Sequence, residues 1–167
     1  MITLSSRRPT PRGETWTPEG VTVVERYHNQ AHAVVLVYTS AHHYQHNVAC
    51  LGCHYIHTKA GNQHTLRPWL NLEDAARTAN DHATTCRALP RPIPTRPDDD
   101  TAREHLRTWV NASLKAGENR HLDIASLDPL RLTLQRTNNW IKTTLQQLAA
   151  DDPRLARTGR SNVNGRA

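Results

Sequence analysis

The first apolar runs of the chain are short and rich in valine. Residues 21–27 and 34–38 each carry several valines and end in a tyrosine, and a polar stretch that begins His28-Asn-Gln lies between them. Two such runs joined by a polar turn predict a β-hairpin. Two further short strands are expected near 42–49 and 54–59, followed by a turn at Gly61-Asn62 that leads into 63–67.

Three later segments have the composition and periodicity of helices. Residues 72–89 are rich in Ala and Leu with acids near the start, which is typical of a helix. A capping box from Thr101 to Glu104 begins a helix that ends at Gly117. A third helix, from Asp128 to about residue 150, has Asp128 as N-cap and Pro129 at its first position.

The last two predicted helices each carry an apolar stripe, and the two stripes are expected to pack on each other. The alternative is that the second stripe belongs to a dimerising helix. The stripes consist of Leu106, Trp109, Val110 and Leu114, and then of Leu130, Leu134, Ile141, Leu145 and Leu148 with Trp140 beside them.

Four metal-binding side chains occur as two pairs in the first half of the chain. Cys50 and Cys53 form a C-x2-C pair, and His82 and Cys86 form an H-x3-C pair within the first predicted helix. A C-x2-C turn presents two thiols to one ion, and residues i and i+4 of a helix share a face. Gly52 is expected to take the positive φ that such a turn often needs. The sequence therefore predicts a closed Cys3His zinc site, which is structural because no ligand position remains for water.

Two weaker interpretations of this region stay open. In one, a different histidine replaces His82 as the fourth ligand, and in the other the region binds no metal. The candidate replacements are His42, His43, His46, His54, His57 and His64.

The same cysteines also occur in patterns of other chemistry. Cys50-Leu-Gly-Cys53-His54 matches the haem c attachment pattern, although no apolar signal segment precedes it and Met1 is the only methionine. A thioredoxin-like redox pair requires a βαβ context, whereas strand signals flank these cysteines on both sides. A zinc deaminase requires H-x-E and P-C-x-x-C, and the chain contains neither pattern.

The predicted fold class is α+β. The simplest assembly is a small antiparallel sheet with a zinc knuckle, packed on the ligand-bearing helix and followed by a C-terminal helical pair. The prolines between Arg87 and Pro97 favour an extended connector. The predicted division is a flexible basic arm at 1–20, a zinc-binding domain at 21–90, a Pro-rich connector at 91–100, a helical pair at 101–150 and a flexible basic tail at 151–167.

The segment from 50 to 97 resembles a group of small zinc-site proteins. It carries the C-x-G-C knuckle, an Ala-rich helix that ends in His82-Ala-Thr-Thr-Cys86-Arg-Ala-Leu-Pro, and an Arg-Pro tail. These features look like those of uncharacterised actinobacterial proteins whose genes often lie near plasmid or phage genes. The resemblance implies Zn²⁺ at the four ligands and an actinobacterial source, and it implies no particular activity. The ligand pairs are farther apart than in Cys2His2 fingers, so a base-reading finger helix does not carry over.

Composition limits the class of protein further. The chain has 167 residues, no Phe and 5% aromatic residues, so a metal ion contributes much to so lean a core. An odd number of cysteines, no visible signal peptide and no apolar run of membrane-spanning length predict a cytoplasmic protein without a membrane partner.

Positive charge favours nucleic-acid binding. The formal net charge is +6 at pH 7, and arginines lie in both terminal arms and after the ligand helix. A basic protein with a zinc module has the charge pattern of a protein that contacts phosphates. We therefore expect binding to nucleic acid, DNA above all, in a regulatory or mobile-element context. The expected contacts are Arg87, Arg91 and Arg96, with Arg7, Arg8, Arg12, Arg154, Arg157, Arg160 and Arg166 in the arms.

A protein-interaction adaptor is the alternative function. In this interpretation the zinc module is a rigid platform, and the Pro-rich connector or the C-terminal helices bind a protein partner. Exposure of Trp109 or Trp140 favours the adaptor, because an unpartnered tryptophan on a surface is typical of an interface.

A nuclease is the third and weakest alternative. In it, His42, His43 and His46 hold a second metal ion. Metal-dependent phosphodiester cleavage usually needs hard oxygen ligands, and no acidic residue lies between Glu25 and Glu73. We therefore expect that the protein is not an enzyme.

Overall fold

A computed structural model describes residues 13–57, 70–115 and 127–151. Within these ranges the chain forms a three-stranded antiparallel sheet and four helices, which confirms the predicted α+β fold class. The elements are β1 (Thr22–His28), β2 (Val34–Thr39), β3 (Asn47–Cys50), α1 (Leu72–Thr85), α2 (Asp99–Lys115), α3 (Asp128–Leu134) and α4 (Asn138–Asp151). Contacts divide the chain into two compact units, of which the first contains the sheet and α1 and the second contains α2, α3 and α4.

The sheet has the strand order β1-β2-β3. Its first two strands lie in the two valine-rich runs, as the sequence predicts. Every residue of β2 is buried, and β2 is the central strand with a neighbour on each edge. The register with β3 sets Val35 opposite Cys50 and Val37 opposite Val48, so the first cysteine of the C-x2-C pair ends a buried strand.

The strand before the cysteines is shorter than expected. β3 covers residues 47–50, at the end of the predicted 42–49 strand. Of the predicted 54–59 strand the structure describes 54–57, where one isolated bridge joins Ile56 to Ala49. The Gly61-Asn62 turn and residues 63–67 lie outside the described residues.

α1 packs on β2 and β3 through small side chains. Ala75, Ala79 and Ala83 recur every four residues on one helix face and are buried against the valines of the sheet. Asn71 caps the start of the helix, since its Oδ1 accepts the N–H of Asp74 at 2.8 Å. The predicted end at residue 89 is wrong: α1 ends at Thr85, and Cys86 takes an extended conformation with φ −75° and ψ 129°.

α2 begins before the predicted capping box. The Asp98 carboxylate accepts the N–H of Thr101 at 2.7 Å, and the Asp98 carbonyl accepts the N–H of Ala102 at 3.0 Å. This is the bonding of an N-cap residue, so Thr101 lies within the first turn and the Thr101–Glu104 box is wrong. Glu104 forms an ion pair with Arg107 at 2.8 Å.

The predicted third helix is two helices. Gln135 adopts a left-handed conformation with φ 48° and ψ 55°, and its N–H bonds to the carbonyl of Arg131, which ends α3. The Thr137 hydroxyl accepts the N–H of Trp140 at 3.2 Å at the start of α4. The N-cap of α3 is Leu127 and not Asp128, which lies inside the helix.

The helical unit has a core of larger side chains than the first unit. The two predicted stripes pack together in it as expected, with Trp109 and Trp140 partly buried at its edge. The side chain of Leu114 lies outside the described residues. The buried members are Ala102, Leu106, Val110, Leu127, Leu134, Ile141 and Leu148.

Candidate metal centre

The C-x2-C pair lies in a tight turn that follows β3. The Cys50 N–H bonds to the carbonyl of Tyr55 at 2.8 Å, and the His54 N–H bonds back to the carbonyl of Cys50 at 3.1 Å. His54 has φ 60° and is the residue that reverses the chain. The turn therefore presents the thiols of Cys50 and Cys53 on the same side.

Gly52 is needed in this turn for its small size and not for a positive φ. Its φ is not positive, so the expectation of a left-handed glycine is wrong and His54 takes that conformation. A Cβ at Gly52 would lie 2.7 Å from the Cβ of Ala33 and 3.1 Å from the Cβ of Ala88. Glycine is required because the turn packs directly against two other segments of the chain.

The second pair of candidate ligands lies where α1 ends. His82 is in the last turn, and the Cys86 N–H bonds to the carbonyl of His82 at 2.8 Å. The i and i+4 spacing predicted for this pair is thus kept, although the chain leaves the helix at Cys86.

The structure brings all four predicted ligands together. Their ligand atoms lie within 4.8 Å of one another, and the Cys53 Sγ is 3.3 Å from the His82 Nε2. Zinc–sulfur bonds of about 2.3 Å at tetrahedral angles place sulfur atoms roughly 3.7 Å apart, which fits this spacing. The group can hold a metal ion. The described part of the chain contains no second group of three or more such side chains.

Hydrogen bonds to sulfur support two of the three cysteines. The Gly52 N–H donates to the Cys50 Sγ, and the Asn29 side-chain amide donates to the Cys86 Sγ, each at 3.4 Å. Such bonds stabilise the thiolate form that a metal requires. Asn29 is a contributor that the sequence analysis treated only as part of a polar turn.

Asn29 also connects the β-hairpin to the segment after α1. Its side chain is 3% exposed, donates to the Ala88 carbonyl at 2.8 Å and accepts the N–H groups of Ala31 and Ala33 at 2.9 and 2.8 Å. Both ends of the amide are therefore bonded. The hairpin turn and the Cys86 ligand are fixed by one side chain.

The pKa values of three candidate ligands are shifted, upward for Cys50 and downward for Cys86 and His82. Burial raises the pKa of the Cys50 thiol to about 11, while backbone N–H groups of Cys53 and Gly52 oppose it. Burial also raises the pKa of Cys86, but hydrogen bonds from the Ala88 backbone and from Asn29 outweigh it, and the pKa lies below its usual value. Burial lowers the pKa of His82, which favours the neutral imidazole that binds metals.

Tyr55 positions the imidazole of His82. The two rings are stacked with centroids 4.3 Å apart and planes 10° from parallel. The Tyr55 hydroxyl is 3.1 Å from the Nδ1 of His57, which holds the phenol ring in place. Tyr55 is a second contributor missed in the sequence, where its place two residues after Cys53 was the available signal.

The histidines considered as substitutes for His82 lie outside the ligand group. His54 and His57 belong to the turn and to the strand bridge beside it. His42, His43 and His46 form no metal-binding group within the described ranges, and His64 lies outside those ranges. A second metal site of the kind that the nuclease alternative needs is therefore not found in the described residues.

The clustering of the four candidate ligands also bears on the haem c and thioredoxin-like interpretations of the two cysteines. Cys50 and Cys53 face His82 and Cys86, and the strand before the pair is part of an antiparallel sheet. The described elements on either side of the pair do not form a βαβ unit of the thioredoxin kind. A helix of membrane-spanning length and hydrophobicity is also not found among the described residues.

The predicted phosphate contacts differ in their surroundings. Arg96 is bonded to Glu19 at 2.6 Å and to the Gln135 carbonyl at 3.4 Å. Arg87 and Arg91 are exposed and form no ion pair or hydrogen bond among the described residues. The arginines of the two arms, Arg7, Arg8, Arg12, Arg154, Arg157, Arg160 and Arg166, lie outside those residues.

Comparison of the chain with protein-family models, with curated proteins and with solved structures found no match.

Proposed function

We propose that Cys50, Cys53, His82 and Cys86 hold one Zn²⁺ with a structural role, and that the module so formed binds nucleic acid. One observation carries the zinc assignment: three sulfur atoms and one imidazole nitrogen lie within 4.8 Å of one another. The four side chains complete a tetrahedral shell and leave no position for water or substrate, so a site of this kind stabilises the fold and catalyses nothing.

The ligand chemistry favours zinc over other common ions. Thiolates select soft or borderline metals, which disfavours Mg²⁺ and Ca²⁺, and a mixed sulfur and nitrogen tetrahedron is typical of Zn²⁺. No acidic residue belongs to the ligand group. The partly buried imidazole of His82, whose pKa is lowered by burial toward the neutral form, suits a metal that tolerates nitrogen and sulfur donors together.

Metal analysis of the purified full chain tests the zinc assignment. We expect one zinc per chain by mass spectrometry and, after replacement by Co²⁺, the intense visible bands of a tetrahedral ion together with sulfur-to-metal charge transfer. A His82→Ala variant should weaken metal binding, while His105→Ala, at an exposed position of α2, should keep the full complement of metal. A chain that contains no zinc and takes up no Co²⁺ would refute the assignment.

Free positive charge next to the site supports the nucleic-acid proposal. Exposure alternates along the segment after Cys86, so that Arg87, Leu89 and Arg91 are exposed while Ala88 and Pro90 are partly buried. Neither arginine is neutralised by an acid among the described residues, and the net charge of the whole chain is +6. Unpaired cations on a basic protein are available to phosphates.

Fluorescence anisotropy of a labelled DNA duplex at several salt concentrations tests this second proposal. Each phosphate contact contributes about −0.9 to the slope of log K against log salt, so Arg87→Ala and Arg91→Ala should each flatten the slope by about that amount. Arg77→Ala is the matched control, because Arg77 is exposed but already paired with Glu73 and Asp74. Equal effects of all three substitutions would show a response to net charge alone.

The adaptor is the alternative that a negative result would favour. Trp109 and Trp140 pack against the core of the helical unit and are not exposed in the way that the adaptor interpretation expected. Absence of DNA binding at every salt concentration would nevertheless direct the search to a protein partner.

A further inference from the structure

The three sulfur atoms of the metal centre are not equally protected. Cys50 is 2% exposed and accepts the Gly52 N–H, whereas Cys86 is partly buried and accepts the Asn29 amide. Cys53 is exposed, and among the described residues no amide N–H donates to its Sγ. Within the described part of the chain, the His82 Nε2 is the one nitrogen in hydrogen-bonding distance of the Cys53 Sγ, and it is itself a candidate ligand.

Protection of this kind decides which thiolate reacts. An N–H···S bond withdraws electron density from sulfur and must weaken when the sulfur forms a new bond, and burial keeps reagents away. Susceptibility to oxidation follows thiolate character and exposure. Zinc binding keeps all three sulfurs as thiolates, so exposure and hydrogen bonding are what distinguish them.

We infer that Cys53 is a modification site, at which a peroxide or another soft electrophile attacks the metal centre. The inference rests on the proposed zinc site. The four residues that stabilise the fold then also make it sensitive to oxidants, because one of them, Cys53, is open to attack.

The reaction with hydrogen peroxide balances as follows. The Cys53 thiolate attacks one peroxide oxygen, the O–O bond breaks, hydroxide leaves and a sulfenic acid forms. The thiolate of Cys50 or Cys86 then attacks the sulfenic sulfur, an S–S bond forms and a second hydroxide leaves. Two thiolates are oxidised by one peroxide, the ligand set is lost and Zn²⁺ is released.

Timed labelling of the zinc-loaded full chain tests the inference. The chain is treated with less than one equivalent of N-ethylmaleimide or hydrogen peroxide, the modified cysteine is located by peptide mass spectrometry, and released zinc is followed with a chromogenic chelator. We expect the first label on Cys53, with a rate at least about tenfold above those of Cys50 and Cys86, because each N–H···S bond is worth about one factor of ten in rate. Zinc release should rise in step with Cys53 modification.

Two controls make the result decisive. The same chain in denaturant without zinc should label its three cysteines at similar rates, which separates the effect of the folded site from that of local sequence. Asn29→Ala removes one of the two N–H donors to Cys86 and leaves that of the Ala88 backbone, so Cys86 labelling should accelerate by up to about tenfold in the zinc-loaded variant while Cys53 labelling stays the same. If this variant does not fold, the labelling order in the unchanged chain still decides.

First labelling at Cys86 or Cys50, or zinc release that precedes Cys53 modification, would overturn the inference. These outcomes differ from failure of the proposed function, because zinc content is measured before the reagent is added. A chain without zinc contradicts the proposed metal site, and a zinc-loaded chain with equally reactive cysteines contradicts only the role of Cys53.

Discussion

The two units of this protein hold their helices with different interactions. In the first unit, α1 packs on the sheet through Ala75, Ala79 and Ala83 against valines, and four candidate metal ligands lie at its end. In the helical unit, leucines, an isoleucine and two partly buried tryptophans pack among α2, α3 and α4, with no metal ligands among its described residues. Alanine buries little area, so a helix attached by an alanine face gains little from the hydrophobic effect alone.

In the helical unit a buried arginine, Arg136, bonds several segments together, as a metal ion would. The Arg136 side chain is 2% exposed, and it donates to the Asp99 carboxylate at 2.8 Å and to the Pro97 carbonyl at 2.6 Å. It also donates to the carbonyls of Leu134 and Gln135 at the end of α3. The Arg136 guanidinium thus joins the Pro-rich segment, the start of α2 and the end of α3, as the proposed zinc joins β3 and α1.

Removal of the metal should produce the largest difference in stability between the two units. Apparent binding free energies of structural zinc reach about 10 kcal/mol or more, which equals the whole stability of an ordinary domain. After treatment with a strong chelator, we expect β2, β3 and α1 to lose protection from hydrogen exchange while α2 and α4 keep theirs. Added zinc should restore the protection. Equal loss in both units, or no loss in the sheet, would contradict the comparison.

Replacement of one ligand should have the next largest effect. Cys86→Ser removes a thiolate and leaves the Asn29 amide opposite a weaker acceptor, so the first unit is expected to lose its metal and most of its free energy of unfolding. Thr85→Ser is the matched control, because Thr85 is exposed and its hydroxyl bonds only to backbone carbonyls of its own helix. Chemical denaturation and zinc content of both variants are the measurements. A Cys86→Ser chain that keeps zinc and unfolds like the parent would remove Cys86 from the ligand set.

Replacement of the buried cation should destabilise only the helical unit. Arg136→Met removes the donor to the carbonyls of Pro97, Leu134 and Gln135. A buried acceptor left without a partner costs about 1–3 kcal/mol, whereas the Asp99 carboxylate is largely exposed and is hydrated by water. Arg107→Met is the control, because Arg107 is half exposed and its ion pair with Glu104 is worth about 0.5 kcal/mol or less. Hydrogen exchange should show the loss in α2 and α3. A similar effect of both substitutions would mean that Arg136 acts only as a surface charge.

The sequence predicted the candidate ligands and the first elements of the fold, but it did not predict the residues that support the ligands or the break between α3 and α4. The four candidate metal ligands were found because metal chemistry requires fixed residue types at fixed spacing. β1 and β2 were found from their valine-rich runs, and α1 from its Ala- and Leu-rich composition with acids near the start. Asn29 and Tyr55 were missed because their roles depend on contacts with residues far along the chain, namely Cys86 and His82. The break at Gln135 was missed because apolar periodicity continues across it, although Thr137 carried the signal of a new N-cap.

The capping of α2 gives the smallest expected effect, and its pH dependence has a definite sign. Hydrogen bonds from the backbone and side chain of Thr101, and to a lesser degree the charge of Arg136, hold the pKa of Asp98 below its usual value. A lowered folded-state pKa means that the carboxylate stabilises the helix above the unfolded pKa and loses this contribution as pH falls through the folded pKa. Protection of the Thr101 amide should therefore decrease in acid.

Asp98→Asn isolates the charge from the hydrogen bond. The amide oxygen of asparagine still accepts the Thr101 N–H, so the cap remains while its titration disappears. We expect the acid-induced loss of Thr101 protection, followed by amide exchange in NMR spectra, to be smaller in this variant than in the parent. Asp100→Asn removes the same charge from the first turn of α2 without touching the cap, and should leave the pH dependence of the Thr101 amide as it is in the parent. Equal flattening in both variants would assign the effect to the helix dipole and not to the Asp98 hydrogen bond.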